Sequence, residues 1–382
     1  MKNFVFQNPT KLLFGRGAIE RMRAEIPADK KLMVTFGGGS VRANGVYERV
    51  TRALEGLDYV EFWGIEPNPK VETVREAVAM CRREGVEFLL AVGGGSVLDA
   101  TKLIAAAVHA GADAWELVRN PALLPEAILP FADVMTLPAT GSEMNNGAVI
   151  SNAATREKFA FYSRFPLFSV LDPEVTYSLP EYQIACGLAD TFVHTVEQYL
   201  TVAGESPLMD RWAEGLLSTL VEVAPGAMAA EPDYDSRATY MLCATMALNG
   251  FIAMGVSQDW ATHRIGHEIT ALHGVTHAQT LAVVLPAVMA ELQEQKQDKL
   301  LQYAARVWGL CEGSRQERID AAIARTGEFF RSLGLKTRLS ELGIGRPTAE
   351  EIVRRFAERG TRLGEKANVD AAAVGRILER CL

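Results

Sequence analysis

Apolar positions along this chain follow two rhythms, and the change falls near Pro180. Before it, short unbroken apolar runs alternate with amphipathic stretches. Lys31–Phe36 (KLMVTF) and Phe88–Val92 (FLLAV) are short apolar runs, as strands buried within a parallel sheet are, and Tyr59–Phe62 is another strand. Between them, Val46, Val50 and Leu54 share one helical face in a stretch ending near Gly56. Val71–Glu84 likewise aligns Val74, Val78 and Cys81 and stops at Gly85. A helix from Val97 to His109 and strands at Val134–Leu137 and Ser169–Leu171 continue the alternation, and Phe4–Phe14 reads as a strand pair broken at Asn8-Pro9.

After Pro180 the apolar spacing is helical almost throughout, over 181–201, 207–229, 235–254, 258–273, 279–305, 315–333, 348–359 and 369–381. Pro286 predicts a kink and Pro347 a helix start. The expected architecture is therefore an α/β domain with a doubly wound parallel sheet over residues 1–180, and an all-helical domain over 181–382. No low-complexity segment or long-period repeat interrupts it; the only internal echo is GGGSV, at 37–41 and again at 93–97.

Each GGGS block lies between a buried strand and a helix. Glycine there lets the backbone approach a ligand closely, and the helix start offers N–H groups and partial positive charge, which suit phosphate. A plain tight turn would use the same residues. Two such blocks in one sheet favour a nucleotide, although neither matches G-x-G-x-x-G and neither is followed by the G-K-[ST] of a P-loop. Asp99 lies one turn into the second helix, either near a phosphate or ribose or simply complementing the helix dipole. The first block has no acid at its tip, only glycines, Ser40 and Arg42. Specificity for NAD normally uses a carboxylate against the ribose 2′-hydroxyl, so its absence favours NADP. Thr140-Gly141-Ser142-Glu143, after a strand, is another lip of the same crevice or an ordinary turn.

The helical half holds the densest chemistry. Five of the six histidines lie in two places: His194, one turn after Asp190, and His263, His267, His273 and His277. Residues four apart share a helix face, and Gly274 allows a turn that brings His277 back. A single buried histidine is usually a hydrogen-bonded core residue. A carboxylate with two or three clustered imidazoles instead suits a borderline divalent ion, Zn or Fe. Spacing leaves open which histidines bind, and fits metal-dependent hydrolases as well as dehydrogenases.

Composition narrows the classes. A formal charge of −8 argues against nucleic acid and anionic membrane surfaces. No apolar run is long enough to span a bilayer, and Met1-Lys2-Asn3-Phe4 lacks the apolar core of a signal peptide. Five scattered cysteines without C-x-x-C read as reduced thiols. Together these predict a cytoplasmic protein.

Taken together, GGGS-x-x-D-x-x-K (Gly93 to Lys102), TGSE (Thr140 to Glu143), Asp190-x-x-x-His194-x-x-Glu197, and His263-x-x-x-His267 with His277 resemble the iron-containing, or group III, alcohol dehydrogenases. The stretch from Gln258 to His277 looks most like the butanol dehydrogenase branch, which includes bacterial NADPH-dependent aldehyde reductases. The resemblance implies an N-terminal dinucleotide-binding domain, a helical domain, and a divalent metal in the cleft between them. It implies Asp190, His194, His263 and His277 as ligands, with His267 lining the site without binding; no residue stands out as a dedicated proton donor, and His267 or a water chain is the candidate. Pyrophosphate would rest on Gly94, Gly95 and Ser96, with Asp99 near the nicotinamide ribose. The adenosine end would meet Gly37, Gly38, Gly39 and Ser40, with Asn68 nearby, and Thr136, Thr140, Ser142 and Lys158 would continue the groove. The family's longer threonine-rich motif is shortened here around Pro138–Glu143, and His273 matches no ligand position. The expected activity is hydride transfer between NADP(H) and small aldehydes or primary alcohols, in a homodimer. Rival expectations are an NAD-dependent polyol or glycerol dehydrogenase of the same fold, and a metal-dependent nucleotide hydrolase.

Overall fold

The structure, a computed structural model, describes residues 1–382. Two compact units divide the chain: Gln7–Pro180 with Ala230–Thr245, and Met1–Phe6 with Glu181–Ala229 and Met246–Leu382.

The first unit is built on β1 (Lys11–Phe14), β2 (Leu32–Phe36), β3 (Tyr59–Phe62), β4 (Phe88–Gly93), β5 (Phe131–Met135) and β8 (Phe168–Leu171). They form one parallel sheet in the order β1-β8-β5-β4-β2-β3. Every residue of β2, β4, β5 and β8 is buried, which explains their unbroken apolar sequences. The chain goes from β2 out to β3, then returns to place β4 on the other side of β2. The winding therefore reverses between β2 and β4, the position where open α/β sheets bind their ligands. Both GGGS blocks lie there, at the carboxyl ends of β2 and β4, whose register pairs Phe36 with Val92.

An antiparallel hairpin, β6 (Gly147–Asn152) with β7 (Glu157–Tyr162), packs on the helix Gly95–Ala107. It was not expected from the sequence. Ala148, Ile150 and Asn152 alternate inward along β6, and Arg156 turns the chain with φ of 52°. Residues 230–245 pack with the sheet: the Tyr240 hydroxyl donates to the Pro138 carbonyl, and Arg237 donates to the Thr176 carbonyl at 2.5 Å.

Three expected elements differ. The strand pair over 4–14 reduces to β1, because the first residues pair elsewhere: Lys2 N–H donates to the Gly255 carbonyl, and Phe6 meets Phe251 edge-on. The helix after the first glycine block is two short helices, Ser40–Ala43 and Val46–Ala53, separated at Gly45 with φ of 78°. The single helix over 279–305 is two, His277–Glu291 and Gln297–Val307. Lys296 lies in the break, its buried ammonium reaching the Leu200 carbonyl at 2.5 Å, Asp259 at 2.7 Å and Glu365 at 2.9 Å. Three acceptors for a buried cation outweigh the helix propensity of the surrounding residues.

The second unit is helical, with Glu181–Tyr199, Pro207–Ala227, Ala261–His273, Arg315–Ser332, Arg346–Glu358 and Ala371–Cys381 beside the two just named. Ile265, Ile269, Val284, Val288, Ile352 and Ile377 belong to one buried cluster that fixes Ala261–His273 against its neighbours. No helix is long and apolar enough to cross a membrane.

Candidate functional site

Three helix segments of the second unit bring the histidines together. Glu181–Tyr199 is buried from Ile184 onward, so Asp190 and His194, four apart, project inward from the same face. Ala261–His273 starts after Trp260, whose φ of 66° is rare for a bulky residue and is held by its surroundings. The helix ends on Gly274 in left-handed conformation, and the next helix begins at His277, so the turn foreseen at Gly274 brings His277 beside His263.

The imidazole Nε2 atoms of His194, His263 and His277 lie 3.7, 3.8 and 3.9 Å from one oxygen, Oδ1 of Asp190. Metal bonds of about 2.0–2.2 Å place two ligands of one ion at most about 4.4 Å apart, so these spacings fit a shared ion. Asp190 is 3 % exposed. Its Oδ1 and the Nε2 of His263 are buried without a hydrogen-bond partner. Two such atoms facing each other across 3.8 Å are costly unless something bonds to both. Asp190, His263 and His277 each bring a ligand atom within 4.8 Å of the other two; His194 adds its ring, stacked on His263 with centroids 4.6 Å apart.

Electrostatics agree with a cation site. Burial opposes ionisation of Asp190, yet His194, His263 and His277 together hold its carboxyl well below the usual range. Burial also opposes charge on His263, but Glu197 and Asp190 raise its pKa to about 9. The arrangement attracts positive charge, carried by a proton or a metal.

His267 borders this group, its ring 5.0 Å from His277 and 6.3 Å from His263. Trp260 meets His263 edge-on at 5.3 Å. His273 is exposed, bonded to Thr348 at 2.9 Å, and takes no part. Glu197 was visible in the motif, three residues after His194, but spacing alone gave it no role.

In the first unit, the expected cofactor residues gather around the start of the helix Gly95–Ala107. Gly94 precedes it and brings no side-chain cap to its first-turn N–H groups. Ser96 Oγ accepts from Asn68 N–H at 3.3 Å, and Lys158 donates to Asn68 Oδ1 at 2.8 Å. Thr140 Oγ1 accepts from Ser142 N–H at 3.3 Å, and Thr136 N–H bonds the Gly93 carbonyl at 2.9 Å. The carboxylate of Asp99 is taken up inside the protein: Ser142 Oγ donates to one oxygen at 2.7 Å and Val149 N–H to the other at 2.8 Å. Lys102 is fully buried beneath them. It donates to the Ser142 carbonyl and hydroxyl, to Asn145 and to the Gly147 carbonyl, at 2.8, 2.7, 3.0 and 2.6 Å.

The two glycine blocks differ in what they require. A Cβ on Gly38 or Gly39 would meet nothing within 4 Å, and Gly39 has φ of 103°. A Cβ on Gly93 would fall 2.5 Å from Val97, and one on Gly95 2.3 Å from Thr140 Oγ1. The first block is an open bend, while the second is glycine because helix and neighbouring turn touch. Glu61, whose carboxylate lies 3.8 Å from Arg42, accepts from the Tyr47 hydroxyl at 2.8 Å and Trp63 Nε1 at 2.7 Å. Arg42 lies over the Trp63 ring at 3.9 Å.

Comparison with known proteins places the chain. Residues 9–173 match the family model of the iron-containing alcohol dehydrogenases, and 184–382 match the C-terminal model of the Fe-containing alcohol dehydrogenase family. The chain is 50% identical to the NADPH-dependent aldehyde reductase YqhD of Escherichia coli, over 99% of each chain. It is 39% identical to a probable NADH-dependent butanol dehydrogenase of Bacillus subtilis, over the whole of both. The crystal structure of the Escherichia coli protein superposes with a TM-score of 0.98, covering 100% of this chain and 99% of that one. An NADH-dependent butanol dehydrogenase from Thermotoga maritima, 34% identical, superposes at 0.94 over 100% and 99%. Matched along both halves and aligned from end to end with these relatives, the chain belongs to the iron-containing alcohol dehydrogenase family.

Proposed function

We propose that the chain is a metal-dependent oxidoreductase that transfers a hydride between NADP(H) and small aldehydes or primary alcohols. The observation that carries this reading is the buried pair Asp190 Oδ1 and His263 Nε2, unbonded and ringed by further imidazoles. Asp190, His194, His263 and His277 would hold the ion, which supplies Lewis-acid polarisation of a carbonyl when bound. The nicotinamide cofactor supplies the hydride.

The protein's own groups bind and orient. The uncapped start of Gly95–Ala107, with Gly94, Gly95 and Ser96, suits pyrophosphate. Gly37, Gly38, Gly39 and Ser40 suit the adenosine end. NADP(H) is favoured over NAD(H) because the open bend carries no acid, and Glu61 already has both oxygens engaged. Asp99 and Ser142, bonded to each other, act on the cofactor by shaping the groove together with Thr136, Thr140, Asn68 and Lys158. His267, beside His277 and His263, is assigned to proton exchange with the product oxygen. A cytoplasmic homodimer is part of the reading, and five free cysteines accord with a reducing compartment.

The test follows NADPH absorbance with butanal, in parallel with NADH at equal concentration. Turnover with NADPH, exceeding that with NADH, is expected, and His263→Ala should abolish it while preserving the fold. Unchanged turnover in that variant, or phosphate release from nucleotides without NADPH consumption, would overturn the assignment.

A further inference from the structure

Glu197 is buried at 3 % exposure, on the helix that carries Asp190 and His194. Its side-chain hydrogen bonds all run to one place, the first turn of Ala261–His273. Its Oε1 accepts from Thr262 N–H at 2.6 Å, and its Oε2 accepts from His263 N–H at 3.3 Å and from the His263 ring at Nδ1. Its main-chain carbonyl accepts from Asp259 N–H at 2.9 Å.

We infer that Glu197 is a positioning residue for the metal centre, fixing the ring of His263 so that Nε2 faces Asp190. The inference rests on the metal-centre reading above. An ionised carboxylate can only accept, so Nδ1 must be the donating nitrogen. That leaves Nε2, the atom 3.8 Å from Asp190 Oδ1, as the ligand. The backbone bonds add a second constraint. With Thr262 and His263 N–H tied to the same carboxylate, the helix cannot rotate about its axis without breaking the ring contact. A carboxylate behind a ligating imidazole also strengthens it as a donor. A simple helix cap would need only the backbone bonds, and Asp259 already supplies one by accepting from Ala261 N–H at 2.8 Å.

That neighbour is the control. Asp259 caps the same helix without bonding the His263 ring. The experiment uses the purified full-length protein loaded with zinc, titrated with a competing chelator, alongside the visible spectrum of the cobalt form. Glu197→Ala and Glu197→Gln should hold zinc about 10–100-fold more weakly and alter the cobalt spectrum. In the glutamine variant one acceptor becomes a donor and faces either Thr262 N–H or the ring. Asp259→Asn should melt earlier yet keep wild-type zinc affinity and cobalt spectrum. Wild-type affinity in Glu197→Gln would overturn the inference and leave the metal reading standing. Equal weakening in Asp259→Asn and Glu197→Gln would reduce Glu197 to a cap, which also overturns it. A wild-type protein that binds neither metal would sink the underlying reading itself.

Discussion

A methyl group at position 95 is the sharpest probe of the second glycine block. In Gly95→Ala the new Cβ would lie 2.3 Å from Thr140 Oγ1, 2.6 Å from Cγ2 and 3.0 Å from Cβ. Rotating Thr140 moves the first two atoms but not its Cβ, and Oγ1 is already holding Ser142 N–H. The turn must therefore shift as a whole. Overpacking of this kind costs roughly 1–3 kcal/mol, while replacing a helical glycine by alanine returns about 0.5–1 kcal/mol. The difference spans about 0–2.5 kcal/mol, and because the Thr140 Cβ cannot rotate away the upper part is expected, a loss of about 1–2.5 kcal/mol or roughly 2–10 °C in melting temperature for a unit of this size. Calorimetry on Gly95→Ala, Thr140→Ala and the double variant reads it directly. The double variant should recover part of the loss, with a coupling on the order of 0.5–3 kcal/mol. Gly38→Ala is the contrast: with nothing within 4 Å of its Cβ, stability should stay within about 0.5 kcal/mol, while NADPH binding, followed by fluorescence, weakens. A Gly95→Ala protein that melts like wild type would refute the claim that packing dictates glycine there.

Lys102→Met removes an ammonium that serves four acceptors and lies beside Asp99. Leaving those groups buried and uncompensated should cost about 3–5 kcal/mol in denaturant unfolding, and a loss under about 1 kcal/mol would show that water replaces the amine. A second prediction concerns pH. In metal-free protein His263 has its pKa raised from 6.5 to about 9, so a proton must leave before zinc binds. Between those values apparent zinc affinity should rise about tenfold per pH unit, then level off. The same shift stabilises the metal-free fold fully below pH 6.5, and that contribution is lost as pH rises through about 9. Chelator competition across this window that gives a flat affinity would count against the proton sharing the site.

Much of this was legible because buried parallel strands have no polar face to disguise them, as β2 and β4 show. Val71–Glu84 was readable to the residue, since Gly85 closes it in left-handed conformation with its N–H on the Cys81 carbonyl. The β6–β7 hairpin carried its signal in Ala148, Ile150 and Asn152, but two short runs of mixed polarity resemble loop. The break at Lys296 had no local signal at all, because its cause is Asp259 and Glu365, distant in sequence. Within the histidine cluster, spacing showed that a group existed. Only three dimensions show that three rings converge on one oxygen of Asp190, and that Asp99 spends its carboxylate on Ser142 and Val149.

The left-handed bend at Trp260 has a practical corollary. An indole held 5.3 Å from the His263 ring is an emitter placed beside a group that dims it when protonated and responds again when an open-shell ion arrives. Trp260 is one of five tryptophans, so replacing it by phenylalanine and subtracting spectra isolates its signal. The protein thus carries a native optical gauge of what occupies its histidine cluster, readable in real time without any attached dye.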